Sequence, residues 1–144
     1  MEYKKGFSSE GIFTSFMKEN YRQFSIEFEN MCESSHYAHK LFTKSTRYEC
    51  WDNGNLVGVL CSYFNENGHF VYIPYLCVLL QYSGRGIASK LMENLIGDSI
   101  KSYSYIDLEV RKGNYRAYQF YKRKGFFEIV ENLDKLQLRK EFTI

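Results

Sequence analysis

A single proline, Pro74, interrupts this 144-residue chain, so little in the sequence opposes long helices and strands. Cysteine is also sparse. Cys32, Cys50, Cys61 and Cys77 are widely spaced and form no CxxC pair, which argues against a zinc ribbon or a thioredoxin-like redox site. Cys61 and Cys77 lie inside apolar, strand-like runs, where a free thiol behaves as a small hydrophobe. No apolar run approaches the length of a membrane span. The opening MEYKKGFSSEG has lysines but no apolar stretch behind them, so a secretory signal is not expected. Neither charge sign dominates: 19 Lys and Arg against 17 Asp and Glu leave +2, too little for a dedicated nucleic-acid binder. The phosphate loop GxxxxGK[ST] is missing, and a dinucleotide GxGxxG fails at Ser89, with no N-terminal βαβ unit to carry it. These absences lead us to expect a soluble, cytoplasmic protein without a metal, membrane or nucleic-acid partner.

What the chain does have is apolar surface. Hydrophobic residues make up 44%, including thirteen tyrosines and twelve phenylalanines, enough for one core within a single domain spanning 1–144. Phe13, Phe16, Met17, Tyr21, Phe24, Phe28 and Met31 recur at helical spacing, and Tyr37, Ala38, Leu41 and Phe42 suggest a second, short helix. Asn53-Gly54-Asn55 and Asn65-Glu66-Asn67-Gly68 then punctuate three strand-like runs, an antiparallel meander. Pro74 falls inside the third run. It cannot donate a ladder hydrogen bond, so it predicts an edge, a bulge or a local parting of strands. Ile87, Leu91, Leu95 and Ile96 form an apolar helix face, and YIDLEV alternates as a strand. A helix from about Asn114 stops at Gly125, and FFEIVE with KLQLRKEF closes the chain as a hairpin. The order is ααβββαβαββ, with room for a short strand before the first helix, and the class is a mixed α/β sandwich on one sheet.

The stretch LLQYSGRGIASKLMENL puts Gly84 and Gly86 at the mouth of a helix. Glycine costs a helix roughly 1 kcal/mol relative to alanine. A strand that runs through glycines into a helix N-terminus is a natural anion site, because free amides and the helix dipole face the ligand. A plain strand-to-helix turn has the same spacing. Six Lys or Arg residues and no acid lie between Arg111 and Lys124, a pattern best read as a solvated helix face with part of it available to a phosphate. Glu33, His36 and His39 can be drawn as a metal cluster, but surface positions before a turn account for them better.

VLLQYSGRGIASKLMENLI followed by LEVRKGNYRAYQFYKRKGF resembles the paired signatures of the GCN5-related N-acetyltransferases, most clearly from Arg47 to Phe127. The first signature is [Q/R]-x-x-G-x-[G/A], matched here by Ser83-Gly84-Arg85-Gly86-Ile87-Ala88 with Ser83 in place of the usual Gln or Arg. The second is matched by Asn114, Ala117, Tyr121, Gly125 and Phe126. The resemblance implies a mostly antiparallel sheet whose fourth and fifth strands part around acetyl-CoA. It also implies backbone contacts to the pantetheine arm from Leu76, Cys77, Val78 and Leu80, and to the diphosphate from Ser83 and Gly84 through Ser89. Asn114 matches a residue that often contacts the cofactor, and a helix N-cap is the other role open to it. Tyr121 falls at the family's general-acid position. Glu109, in LEVR, resembles the base of the ribosomal-protein N-terminal acetyltransferases, whereas many relatives carry a polar residue there without that role. The expected reaction is N-acetylation of a primary amine, first that of a small molecule and second a protein N-terminus. A non-catalytic acyl-CoA-binding module is the rival from another class, and an exposed aromatic surface is compatible with a homodimer.

Overall fold

The computed structural model describes residues 1–20 and 35–142. Its strands are β1 (Glu2–Lys5), β2 (Thr46–Asp52), β3 (Asn55–Asn65), β4 (Phe70–Val78), β5 (Tyr105–Arg111), β6 (Phe127–Glu131) and β7 (Lys135–Glu141). Its helices are α1 (Glu10–Asn20), α2 (Ser35–Lys44), α3 (Ile87–Ser99) and α4 (Tyr115–Arg123), and a single 3₁₀ turn (Leu80–Tyr82) precedes α3. The seven strands run in the order β1-β2-β3-β4-β5-β7-β6, a mixed α/β sheet fold as expected. The short strand before the first helix is present as β1. Tyr21, Phe24, Phe28, Met31, Cys32 and Glu33 lie outside the described residues. The chain forms two compact units, Met1–Ser62 with Tyr75–Leu95 and Tyr63–Pro74 with Ile96–Ile144.

In the first unit, β1 pairs antiparallel with β2, from Glu2↔Trp51 to Lys5↔Tyr48. β2 pairs antiparallel with β3 through the Asn53-Gly54 turn, with a register shift between Cys50 and Trp51. Phe13, Phe16 and Met17 of α1 are buried, as are Ala38 and Leu41 of α2. Each large apolar side chain so buried contributes about 1.5–3 kcal/mol relative to exposure. Cys50, Cys61 and Cys77 are buried and in no disulfide among the described residues, the role anticipated for Cys61 and Cys77, and burial pushes the Cys61 thiol up to about 12.

A charged pair is buried in the same unit. Glu49 accepts from the backbone amides of Phe7 and Ser8 at 3.1 and 2.9 Å, from the Ser8 hydroxyl at 2.5 Å and from Trp51 Nε1 at 3.2 Å. Arg47 donates to Glu49 at 3.2 Å and to the carbonyls of Phe42 and Ser8 at 3.0 and 3.1 Å, with its guanidinium 4.2 Å from the Phe42 ring centre. This network ties the β1–α1 connection and the end of α2 to β2. Such a pair is weak evidence for net stability, but removing one partner strands a buried charge at a cost of about 3–5 kcal/mol.

In the second unit, β4 pairs parallel with β5 from Phe70↔Tyr105 to Ile73↔Leu108, and Pro74 follows directly. The ladder thus ends beside the one residue without an amide hydrogen to give. β5 pairs antiparallel with β7 from Tyr105↔Glu141 to Arg111↔Lys135, and β6 pairs antiparallel with β7, the predicted hairpin. Val71, Ile73, Ile106, Leu108, Val110 and Leu138 are buried. On β5 the residues between them, Asp107 and Glu109, point to the other side of the sheet. Asp107 is buried, held by Arg139 at 2.7 and 2.9 Å and by Gln137 at 3.0 Å. Arg139 also lies 3.7 Å from the Tyr105 ring centre, and Tyr105 stacks on Phe70 at 5.3 Å.

Candidate active site

The residues singled out in the sequence fall into two sets, one in each unit. In the first unit, Leu76, Cys77 and Val78 occupy the end of β4, with Cys77 buried and Leu76 and Val78 half-buried. The strand is released by a bond from the Leu79 amide to the Val57 carbonyl, after which the chain turns through Leu80–Tyr82. Ser83, Gly84, Arg85 and Gly86 follow as an exposed loop, and α3 begins at Ile87, which is buried. Ala88 and Ser89 stand half-buried in its first turn.

Two features of sequence set this loop. Gly84 and Gly86 have φ of +79° and +77°, where an L side chain is strained, and a Cβ on either would meet nothing within 4 Å. The glycines therefore serve backbone shape, and the space in front of them is open. Gly58 of β3 does the reverse. A Cβ there would come within 3.0 Å of Ile87 and 3.4 Å of Val78, so its absence lets the start of α3 rest on the sheet. Gly86 accepts the first helical bond, from the Lys90 amide, and has no side chain to cap the amides that follow. The Ser83 hydroxyl donates to the Leu80 carbonyl at 2.8 Å, away from those amides.

Arg85 is guided by a contact that sequence reading missed. The Tyr82 hydroxyl donates to Asp52 at 2.7 Å, a bond that raises the tyrosine pKa, and the Arg85 guanidinium lies 4.8 Å from the Tyr82 ring centre. Asp52 ends β2, thirty residues earlier, so no local pattern announces the pairing.

In the second unit, Asn114 caps α4, accepting from the Ala117 amide at 3.2 Å. Gly125 and Phe126 close that helix with bonds to the Lys122 and Tyr121 carbonyls, both at 3.0 Å, the 5→2 and 6→1 pair of a Schellman motif. Tyr121 is half-buried between Phe120 and Phe126, ring centres 5.3 and 5.6 Å away. Its hydroxyl has no hydrogen-bond partner among the described residues, and burial raises its pKa, so it stays protonated well into the alkaline range. Glu109 is exposed and accepts from the Tyr72 hydroxyl at 3.3 Å.

The basic run is partly paired: Arg111 meets Asp134 at 3.5 Å and Lys112 meets Glu131 at 3.2 Å, while Arg116 and Arg123 are exposed. His39 pairs with Glu10 at 2.7 Å. Among the described residues, no group of three or more His, Cys, Asp or Glu could hold a metal ion, and no helix is long and apolar enough to cross a membrane.

Residues 11–126 match the acetyltransferase (GNAT) family. The chain belongs to this family. A curated relative, the N-alpha-acetyltransferase daf-31 of Caenorhabditis elegans, is 30% identical over 116 residues. That match covers 74% of this chain, and the chain spans only 62% of that relative's length. Among solved structures, aminoglycoside 6'-acetyltransferase type Ii is similar in fold, with a TM-score of 0.80 at 12% identity, covering 100% of this chain and 99% of the other. The PaiA N-acetyltransferase of Thermoplasma acidophilum, solved in complex with coenzyme A, gives 0.78 at 15% identity, covering 99% and 100%. The GNAT assignment runs through both units.

Proposed function

We propose that this protein transfers an acetyl group from acetyl-CoA to a primary amine by direct attack within a ternary complex. The observation that carries the reading is the exposed Gly84–Gly86 loop that leads into α3, where the capping position is a glycine without a side chain, in a chain of an acetyltransferase family. The amides from Gly84 to Ser89 hold the diphosphate, and any residue but proline supplies an amide, so Ser83 in place of Gln or Arg costs little there. The backbone of Leu76, Cys77, Val78 and Leu80 takes the pantetheine arm as an added strand. The amine nitrogen attacks the thioester carbonyl, a C–N bond forms and the C–S bond breaks. Glu109, directly or through water, takes the proton that the amine loses, and Tyr121 gives one to the departing thiolate. Asn114 adds a cofactor contact beside its capping bond.

The acceptor we place first is a small-molecule amine. A polypeptide α-amine is the second reading, favoured by the N-alpha-acetyltransferase relative and by LEVR. Thiol release from acetyl-CoA across a panel of small amines and free-N-terminal peptides separates them, with calorimetry of acetyl-CoA binding alongside. Tight binding with no release on any amine would instead identify a non-catalytic binding module. Tyr121→Phe should lower kcat about 100-fold while leaving acetyl-CoA affinity unchanged. Unchanged turnover would remove Tyr121 from the reaction. Because burial raises the Tyr121 pKa, the wild-type rate should not lose its proton donor on passing the ordinary tyrosine range near pH 10.

A further inference from the structure

We infer that Tyr72 is the positioning residue for the Glu109 carboxylate, an assignment that rests on Glu109 as the base of the proposed reaction. The contrast between two carboxylates on one strand carries it. Asp107 and Glu109 are two residues apart on β5 and share a face of the sheet. Asp107 is buried, and three donors from Arg139 and Gln137 occupy both its oxygens. With three of its roughly four acceptor sites filled, its charge neutralised and its side chain buried, this carboxylate has little left to offer a substrate.

Glu109 has the opposite surroundings. It is exposed and has no cationic partner among the described residues, since Arg139 is spent on Asp107 and Arg111 meets Asp134. Among the described residues its hydrogen bond comes from Tyr72, whose hydroxyl reaches Oε1 at 3.3 Å. Tyr72 pairs in register with Asp107 across the parallel β4–β5 ladder, so its ring starts one pleat back along β5 and its hydroxyl extends to Glu109. Burial, with Glu109 beside it, pushes the Tyr72 pKa up to about 12, so the phenol remains a donor across the pH range in which amines react. A contact of 3.3 Å is long for an O–H···O bond, and bonds of this kind commonly tighten once substrate is bound. Held by Oε1, the carboxylate keeps Oε2 free for an ammonium group or a water. Without that hold, an exposed glutamate samples several rotamers, few of them productive.

The test is a double-mutant cycle on kcat with the best amine from the panel, using wild type, Tyr72→Phe, Glu109→Gln and the double variant. Phe keeps the ring and removes only the donor. Acetyl-CoA affinity and melting temperature measured on each variant establish that it is folded. Glu109→Gln should lower kcat about 100-fold. Tyr72→Phe alone should lower kcat roughly tenfold with the KM for acetyl-CoA unchanged, and should cost less than about twofold once Glu109→Gln is present. A Tyr72→Phe protein with wild-type kcat overturns the assignment, and so does an undiminished loss in the double variant, which would place the action of Tyr72 elsewhere. If Glu109→Gln alone keeps full activity, Glu109 is not the base and Tyr72 has nothing to position. The transferase reading itself fails separately, through a wild-type protein that binds acetyl-CoA and turns over no amine.

Discussion

Helices α3 and α4 both start shortly after a strand and a glycine, yet their first amides meet different partners. At α4 the Asn114 side chain accepts from the Ala117 amide at 3.2 Å, and the Asn114 amide donates back to Arg111 at 3.1 Å. At α3 the residue in the capping position is Gly86, the Ser83 hydroxyl is turned to Leu80, and the loop is exposed. A capped terminus has met part of its hydrogen-bonding demand within the chain. An uncapped one keeps unsatisfied amides and the positive end of the helix dipole for something outside it. The chain accepts this at α3, where Ile87, Leu91, Met92 and Leu95 are all buried and hold the helix by packing. α4 has no fully buried residue of its own and is secured at both ends by hydrogen bonds.

The contrast can be broken most sharply at Gly86. Gly86→Val demands a β-branched residue at φ near +77° and fills the open side of the loop. We expect acetyl-CoA affinity to fall about 100-fold by calorimetry, with far-UV circular dichroism nearly unchanged. Affinity within threefold of wild type would mean that the α3 terminus is not the anion site. At the other junction, Asn114→Ala should lower unfolding stability by about 1 kcal/mol in a denaturant titration. A tenfold loss of acetyl-CoA affinity at unchanged stability would instead make cofactor contact the main role of Asn114. The smallest effect is expected for Asn114→Gly, a few tenths of a kcal/mol, because glycine is itself a tolerated N-cap. A loss as large as that of alanine would show that the side chain does more than cap.

Much of the fold could be read from local pattern. Among the described residues, helix faces, strand alternation, the Asn53-Gly54 turn, the Asn114 cap and the Gly125 stop depend on neighbours within a few residues, and each appears where the sequence put it. Pro74 foretold where the β4–β5 ladder would end, because a missing amide hydrogen acts at its own position. The polar interior was not legible. TRYECW reads as an ordinary strand, and nothing in it says that Glu49 will be fully buried with five donors from Phe7, Ser8, Arg47 and Trp51. Asp52 with Tyr82 and Tyr72 with Glu109 were missed for the same reason, being separated by 30 and 37 positions.

The sequence by itself determined the family, the order of elements and the glycine loop, since spacing and backbone preference are properties of short segments. Only the tertiary structure decided which charges are spent and which remain available. Asp107 and Glu109 are two residues apart and chemically alike, yet one lies under Arg139 and the other is exposed beside Tyr72. Burial and long-range pairing, which set the free energy of a carboxylate, exist only once distant strands have met.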